Sequence, residues 1–193
     1  MATVISNMAM SIDGFVAYPD DSVGELFDWY FDGPVEVQMH GGPTMRMSDT
    51  SAAVFREALE AVGAFLVGRR LYDHTNGWDA RPPAEAPMVV LTHDPPDDRP
   101  RDGVPITFAT TVEQAVAEAK ALAGDRVVAV AGAATARACL DAGLLDEVYV
   151  NLVPVAIGAG VPFLAGIDTT VRFEEPEVIE APGVTHLRYR VRK

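Results

Sequence analysis

The chain has 193 residues and a formal net charge of −13 at pH 7. That length suits one domain with a substantial core, and a 49% hydrophobic composition excludes a disordered chain. The acidic balance opposes nucleic acids and anionic membrane surfaces, and no apolar run reaches the ~20 residues that cross a bilayer.

Thr3-Val4-Ile5-Ser6-Asn7-Met8-Ala9-Met10 reads as a buried first strand, closed by the turn-prone Ser11-Ile12-Asp13-Gly14. Residues 19–50 read as irregular, with one short helix over Leu26–Phe31. A helix follows over Ser51–Val62, since Phe55, Leu59 and Val62 share one face and Ser48 or Asp49 precedes it as a cap. Ala64-Phe65-Leu66-Val67, ending at Gly68, and Pro87–Thr92, ended by His93-Asp94-Pro95-Pro96, read as buried strands. A polar, proline-rich connection leads to Ile106-Thr107-Phe108 and a helix over Thr111–Leu122, with Gly124 where a helix-ending glycine belongs. Arg126–Val130 is a strand, Ala133–Ala142 a helix and Glu147–Val153 a strand. Val171–Ile179 and Thr185–Val191, joined around Pro182-Gly183, form an antiparallel hairpin. Strands alternating with helices predict an α/β fold, a mainly parallel sheet covered on both faces. No linker or repeat divides residues 1–193, so a single domain is expected.

The start, Met1-Ala2-Thr3-Val4, has neither the basic segment nor the cleavage site of a secretory signal, and a cytoplasmic location is expected. The single cysteine, Cys139, excludes an internal disulfide and a cysteine-rich zinc site. His40, His74, His93 and His186 lack metal-ligand spacing, so no metal is expected. No Gly-x-Ser-x-Gly elbow or Walker-type loop occurs. Phe27, Trp29 and Phe31 suit a core as well as a pocket.

Several segments fall directly after strands. Gly132-Ala133-Ala134-Thr135 opens a helix, where small residues let a ligand approach and free N–H groups receive a phosphate. The same residues serve close packing of the helix on the sheet, and both readings stand. Gly68-Arg69-Arg70-Leu71 puts two arginine forks at a strand end, where open sheets bind ligands and where a phosphate would find bidentate donors. An ordinary solvated pair, neutralised by local acids, is the alternative. Thr92 and His93 stand at a third strand end and offer a hydroxyl and an imidazole. Asp13 either shapes the loop after the first strand through an Asx-type turn or serves as proton donor or substrate contact.

In order along the chain, these segments resemble the dihydrofolate reductase superfamily. Within it they are most similar to the C-terminal reductase domain of the bifunctional riboflavin-biosynthesis deaminase–reductase. The carriers are Met10-Ser11-Ile12-Asp13-Gly14, Val67-Gly68-Arg69-Arg70-Leu71-Tyr72-Asp73, Gly132-Ala133-Ala134, Ala142–Glu147, Val153–Pro162 and Thr185-His186-Leu187-Arg188-Tyr189. The resemblance implies a dihydrofolate-reductase-like, eight-stranded sheet with NADPH across the strand ends. It implies that Gly68, Arg69, Arg70 and Leu71 lie at the cofactor's phosphates and Thr92 and His93 near its adenosine 2′-phosphate. Gly132, Ala133, Ala134, Thr135 and Ala136 would hold the diphosphate, Met10 would touch the nicotinamide, and the domains would pair as homodimers.

The implied activity is NADPH-dependent hydride transfer to a C=N or C=O group of a small heterocyclic substrate. A non-catalytic nucleotide- or flavin-binding module with the same fold is the alternative. Departures from the pattern are specific. Leu71 stands where the family usually has threonine, Ala131-Gly132 where it has a glycine pair, and Val130 where riboflavin-pathway reductases tend to carry glutamate. Nothing here matches the zinc-binding deaminase half, and Asp28, in a stretch comparable to the pterin-contacting acid of dihydrofolate reductases, has no residue-by-residue match.

Overall fold

Aliphatic runs too short for a helix set the central sheet. In the computed structural model, which describes residues 2–96 and 103–193, they form β1 (Val4–Ser11), β5 (Val62–Gly68), β6 (Met88–Leu91), β7 (Ile106–Ala109), β8 (Val127–Ala131) and β9 (Glu147–Val153). Leu66, Val67, Val89, Val90 and Val128 are fully buried, as expected of parallel strands covered on both faces. Residues 97–102 of the predicted proline-rich connection lie outside the described residues.

The remaining strands are β2 (Phe15–Ala17), β3 (Val35–Gln38), β4 (Thr44–Met47), β10 (Val161–Pro162), β11 (Glu177–Ala181) and β12 (Val184–Arg190). The eight-stranded sheet runs β11-β12-β9-β1-β8-β5-β6-β7, with β12 antiparallel to both β9 and β11. The helices are α1 (Asp49–Ala61), α2 (Arg69–His74), α3 (Val112–Ala123) and α4 (Ala133–Asp141). Alanines of α3 and α4 pack with Val4, Leu66, Val128 and Val148 on one face. On the other face lie α1, α2 and the 3-10 turn Gly24–Tyr30, in two separate apolar clusters. One holds Leu26, Trp29, Met47 and Val184, the other Phe65, Val67, Tyr72 and Met88.

The expected mainly parallel sheet with a terminal antiparallel hairpin is what the chain forms. Residues 19–50 are more ordered than the sequence suggested, since β3 and β4 pair antiparallel beside the 3-10 turn. Ser48 is the cap of α1, its hydroxyl accepting from the Ser51 amide at 3.2 Å. Val62, placed on the helix by its spacing, instead begins β5. The strand predicted over Val171–Ile179 shortens to β11, because Pro176 offers no N–H to a ladder; upstream only a Phe173–Val191 bridge remains.

Candidate functional site

Every parallel strand delivers its carboxyl end to the same side of the sheet, and the segments singled out in the sequence stand there. β8, β5 and β6 are immediate neighbours. Gly132 and Thr92 therefore follow, and Gly68 ends, adjacent strands, about 4.8 Å apart. Contact is direct in places. A side chain at Gly68 would meet Thr135 Oγ1 at 2.6 Å, and one at Gly132 would meet Leu71 at 3.8 Å.

Gly132 caps α4 at φ 96° and ψ 131°, a conformation that side chains rarely adopt, and no side chain caps the helix. The first-turn amides of Ala133, Ala134 and Thr135 have no intrahelical acceptor, while Ala136 donates to the Gly132 carbonyl at 3.0 Å. Thr92 is buried and its hydroxyl accepts from the Asp94 amide at 3.2 Å, forming a tight turn that leaves His93 exposed.

The arginines are held by local acids. Arg69 Nε donates to Asp73 at 2.8 Å, and its guanidinium also reaches the Asp94 carbonyl, which brings the starts of α2 and of the loop after β6 together. Arg70 pairs with Asp21 at 2.8 Å and keeps its side chain 70% exposed. That pair joins α2 to the loop after β2, and Asp21 takes a φ of 68°.

Beside these segments the sheet opens. β1 pairs with β9 from Ile5 to Ser11 but with β8 only through Ser6 and Val130. Beyond them the two strands part. The chain also passes from β8 to β9 across β1, so this is the point where strand order reverses and where open α/β sheets bind ligands. Asn7 lies just past the last pairing and is exposed despite its place on an inner strand.

Asp13 accepts from the amides of Gly158 at 2.7 Å and Ile157 at 3.3 Å, tying the loop after β1 to the loop after β9. The Ser11 hydroxyl and then those amides hold its carboxyl below the ordinary carboxylate range. An ionised carboxylate in this role is an acceptor that shapes the loop. Met10 alternates to the sheet face opposite Asn7. There it lines a cleft of about 620 Å³ with Phe15, Val150, Phe163 and Tyr189.

One feature was missed by sequence reasoning. Asn7, Asn151, His186 and Ser51 form a continuous hydrogen-bonded chain under α1. The available signal was an asparagine inside each of two largely apolar strands, β1 and β9. Burial, and then Arg188, push the His186 pKa down to about 4, so its ring is neutral. The Cys139 thiol is buried and pushed up to about 12, which leaves it unreactive. Among the described residues, no cluster of histidine, cysteine and acidic side chains could hold a metal ion, and no helix is long and apolar enough to cross a membrane.

This sheet order, with its strand split and its C-terminal antiparallel pair, defines the protein as a dihydrofolate-reductase-like domain. The chain belongs to the RibD C-terminal domain family, which matches residues 2–185 and is of reductase type. A protein of Shewanella sp. PV-4 assigned to riboflavin biosynthesis has the same fold, with 21% identity, a TM-score of 0.73 and full coverage of both chains. Dihydrofolate reductase from Enterococcus faecalis, solved with NADP(H), superposes with 16% identity and a TM-score of 0.60 over 99% of this chain and 97% of that one. RibD from Acinetobacter baumannii superposes at 15% identity and a TM-score of 0.65; all of this chain is covered, but only 59% of RibD. No curated protein matches the chain in sequence.

Proposed function

We propose that this chain is an NADPH-dependent reductase. The cofactor would lie across the carboxyl ends of β8, β5 and β6, and hydride would pass to a C=N or C=O group of a small heterocyclic substrate beside β1. The observation that carries this reading is the convergence of Gly68–Leu71, Thr92–His93 and Gly132–Ala136 on neighbouring strand ends next to the β1–β8 split. From β1 to β6 the strand ends span roughly 14 Å, a reach suited to an extended dinucleotide.

The residues present fit such a cofactor. The uncapped start of α4 offers amides to a diphosphate, the cap conformation of Gly132 keeps a side chain out of the way, and Arg69 and Arg70 are exposed enough to turn toward phosphate. The bound nicotinamide supplies the hydride chemistry, and the protein binds, orients and excludes water. A homodimer belongs to the same proposal and is read directly by light scattering of the eluting protein.

The test is a titration with NADPH, NADH and FMN, followed by thermal shift and calorimetry. A ligand present at a hundred times its Kd stabilises the native state by about 2.7 kcal/mol, which moves Tm by several degrees. Selective stabilisation by NADPH is expected. A response to FMN alone would favour the second reading, a flavin- or nucleotide-binding module without catalysis. That reading draws on Asp13, whose carboxylate is ionised and already occupied by amides. Silence toward all three ligands would remove both.

Leu71 gives a finer test. It lies half-buried beside Gly132, at the position where the family resemblance implies a threonine hydroxyl. Leu71→Thr is expected to tighten NADPH binding by about threefold to tenfold, the worth of one hydrogen bond to a charged group less its cost in lost packing. Unchanged affinity in calorimetry would place this side chain away from the phosphates.

A further inference from the structure

A polar chain under α1 has no part in the cofactor site. Ser51 Oγ lies 3.1 Å from His186 Nε2, His186 Nδ1 lies 2.7 Å from Asn151 Oδ1, and Asn151 Nδ2 donates to Asn7 Oδ1 at 2.9 Å. Ser51, His186 and Asn151 are 0%, 2% and 6% exposed, whereas Asn7 reaches solvent. The register explains the line: His186 on β12 stands opposite Asn151 on β9, which stands opposite Ala9, two residues beyond Asn7 on β1. Burying this many polar groups adds little net stability over apolar residues of the same shape. The arrangement therefore asks for a use at its exposed end.

Its direction follows from the partners. Neutral imidazole donates from one nitrogen and accepts at the other. Nδ1 faces the carbonyl oxygen of Asn151 and so carries the hydrogen, which leaves Nε2 to accept from the Ser51 hydroxyl. Asn151 then spends an amide hydrogen on Asn7 Oδ1. Every link donates in the same sense, so each polarises the next, and the amide nitrogen of Asn7 is left at the open end as a donor. On its β8 side the same sheet face carries small side chains, Ala9, Ala129 and Ala131, a low floor at the mouth of the β1–β8 split, while Tyr149 of β9 stands beside Asn7 on the other side.

We propose that Asn7 is a specificity-determining residue: its amide N–H groups, aimed by Ser51, His186 and Asn151, donate to a carbonyl oxygen of a planar ligand seated on this floor. The proposal rests on the reductase reading for the place of the substrate, but its test does not need the cofactor. The probes are 2-pyridone, which offers a ring carbonyl, and 2-aminopyridine, which offers amino hydrogens at the same position. Both are titrated at pH 8 into the wild-type chain, Asn7→Ala and Asn7→Asp, with saturation-transfer NMR as readout.

Wild type is expected to favour 2-pyridone, Asn7→Ala to lose at least threefold of that affinity, and Asn7→Asp to favour 2-aminopyridine. Long-range ¹⁵N correlations of wild type are expected to place the His186 hydrogen on Nδ1, a readout that needs no variant. A wild-type preference for 2-aminopyridine, a hydrogen on Nε2, an unchanged 2-pyridone affinity in Asn7→Ala, or binding of neither probe at millimolar concentration would each overturn the proposal. A chain that ignores NADPH yet selects the carbonyl through Asn7 would refute only the cofactor reading.

Discussion

Replacing Arg69 and Arg70 together with alanine is expected to weaken NADPH binding by more than tenfold while leaving the melting temperature of the free protein nearly unchanged. Both side chains already hold acids, Asp73 for Arg69 and Asp21 for Arg70. Magnitude decides what those pairs mean. Exposed ion pairs contribute about 0–1 kcal/mol, whereas hydrogen bonds from a guanidinium to a phosphate are charge-assisted and roughly twice as strong as neutral ones. An incoming phosphate can therefore displace the carboxylates at small cost, and loss of the pairs barely touches folding.

The double variant also moves the net charge from −13 to −15, two fewer positive charges, with Asp73 and Asp21 left unpaired beside the phosphate. Raising the salt concentration should narrow the gap between variant and wild type, because screening shortens to a few ångströms near 1 M. Calorimetry at two salt concentrations reads both effects. Equal affinity of variant and wild type would return the arginines to the solvated surface, the alternative that local acids suggest.

The parallel core was legible because two-faced burial writes itself as an uninterrupted apolar run: Phe65-Leu66-Val67 and Met88-Val89-Val90 have no other plausible fate. The clustering of the candidate segments was legible for the same reason, since the end of each run locates a loop on the same side of the sheet. Helical spacing misled at Val62, where the last residue of an apolar stripe is also the first of β5 and no loop intervenes. β3 and β4 escaped because their pairing depends on distant backbone. A side chain at Gly33 would lie 2.0 Å from the Met47 carbonyl carbon, and one at Gly41 would meet the Arg81 carbonyl. The polar chain was illegible for a related reason. Ser51 and His186 are 135 residues apart and Asn7 and Asn151 are 144 apart, so no local pattern announces either bond.

The stability of the folded chain is expected to fall as pH drops from 6.5 toward 4, and His186 is the cause. Its ordinary pKa of 6.5 is lowered to about 4 by burial and then by the nearby Arg188 guanidinium. As pH falls, the unfolded chain therefore takes up the proton first, and protonation pulls the equilibrium toward it. The contribution is complete above pH 6.5 and is lost through the interval between the two values, at no more than about 1.4 kcal/mol per pH unit for a single proton. Asp146 works in a different window. Its carboxyl is partly buried, which raises its pKa, but Lys193, the Val4 amide and Lys120 outweigh that and hold it below 3.8, so its contribution fades only in stronger acid. Urea denaturation at pH 7.5 and pH 5 separates the two. His186→Gln keeps a polar side chain between Ser51 and Asn151 and should be less stable at pH 7.5 by about 1–3 kcal/mol, the cost of imperfectly satisfied buried groups. It should also lose less than wild type on going to pH 5. A wild-type midpoint that does not move between these pH values, or a variant that falls in parallel with it, would mean that His186 is protonated in the folded chain, and the hydrogen-bond direction from Ser51 to Asn7 would have to be drawn again.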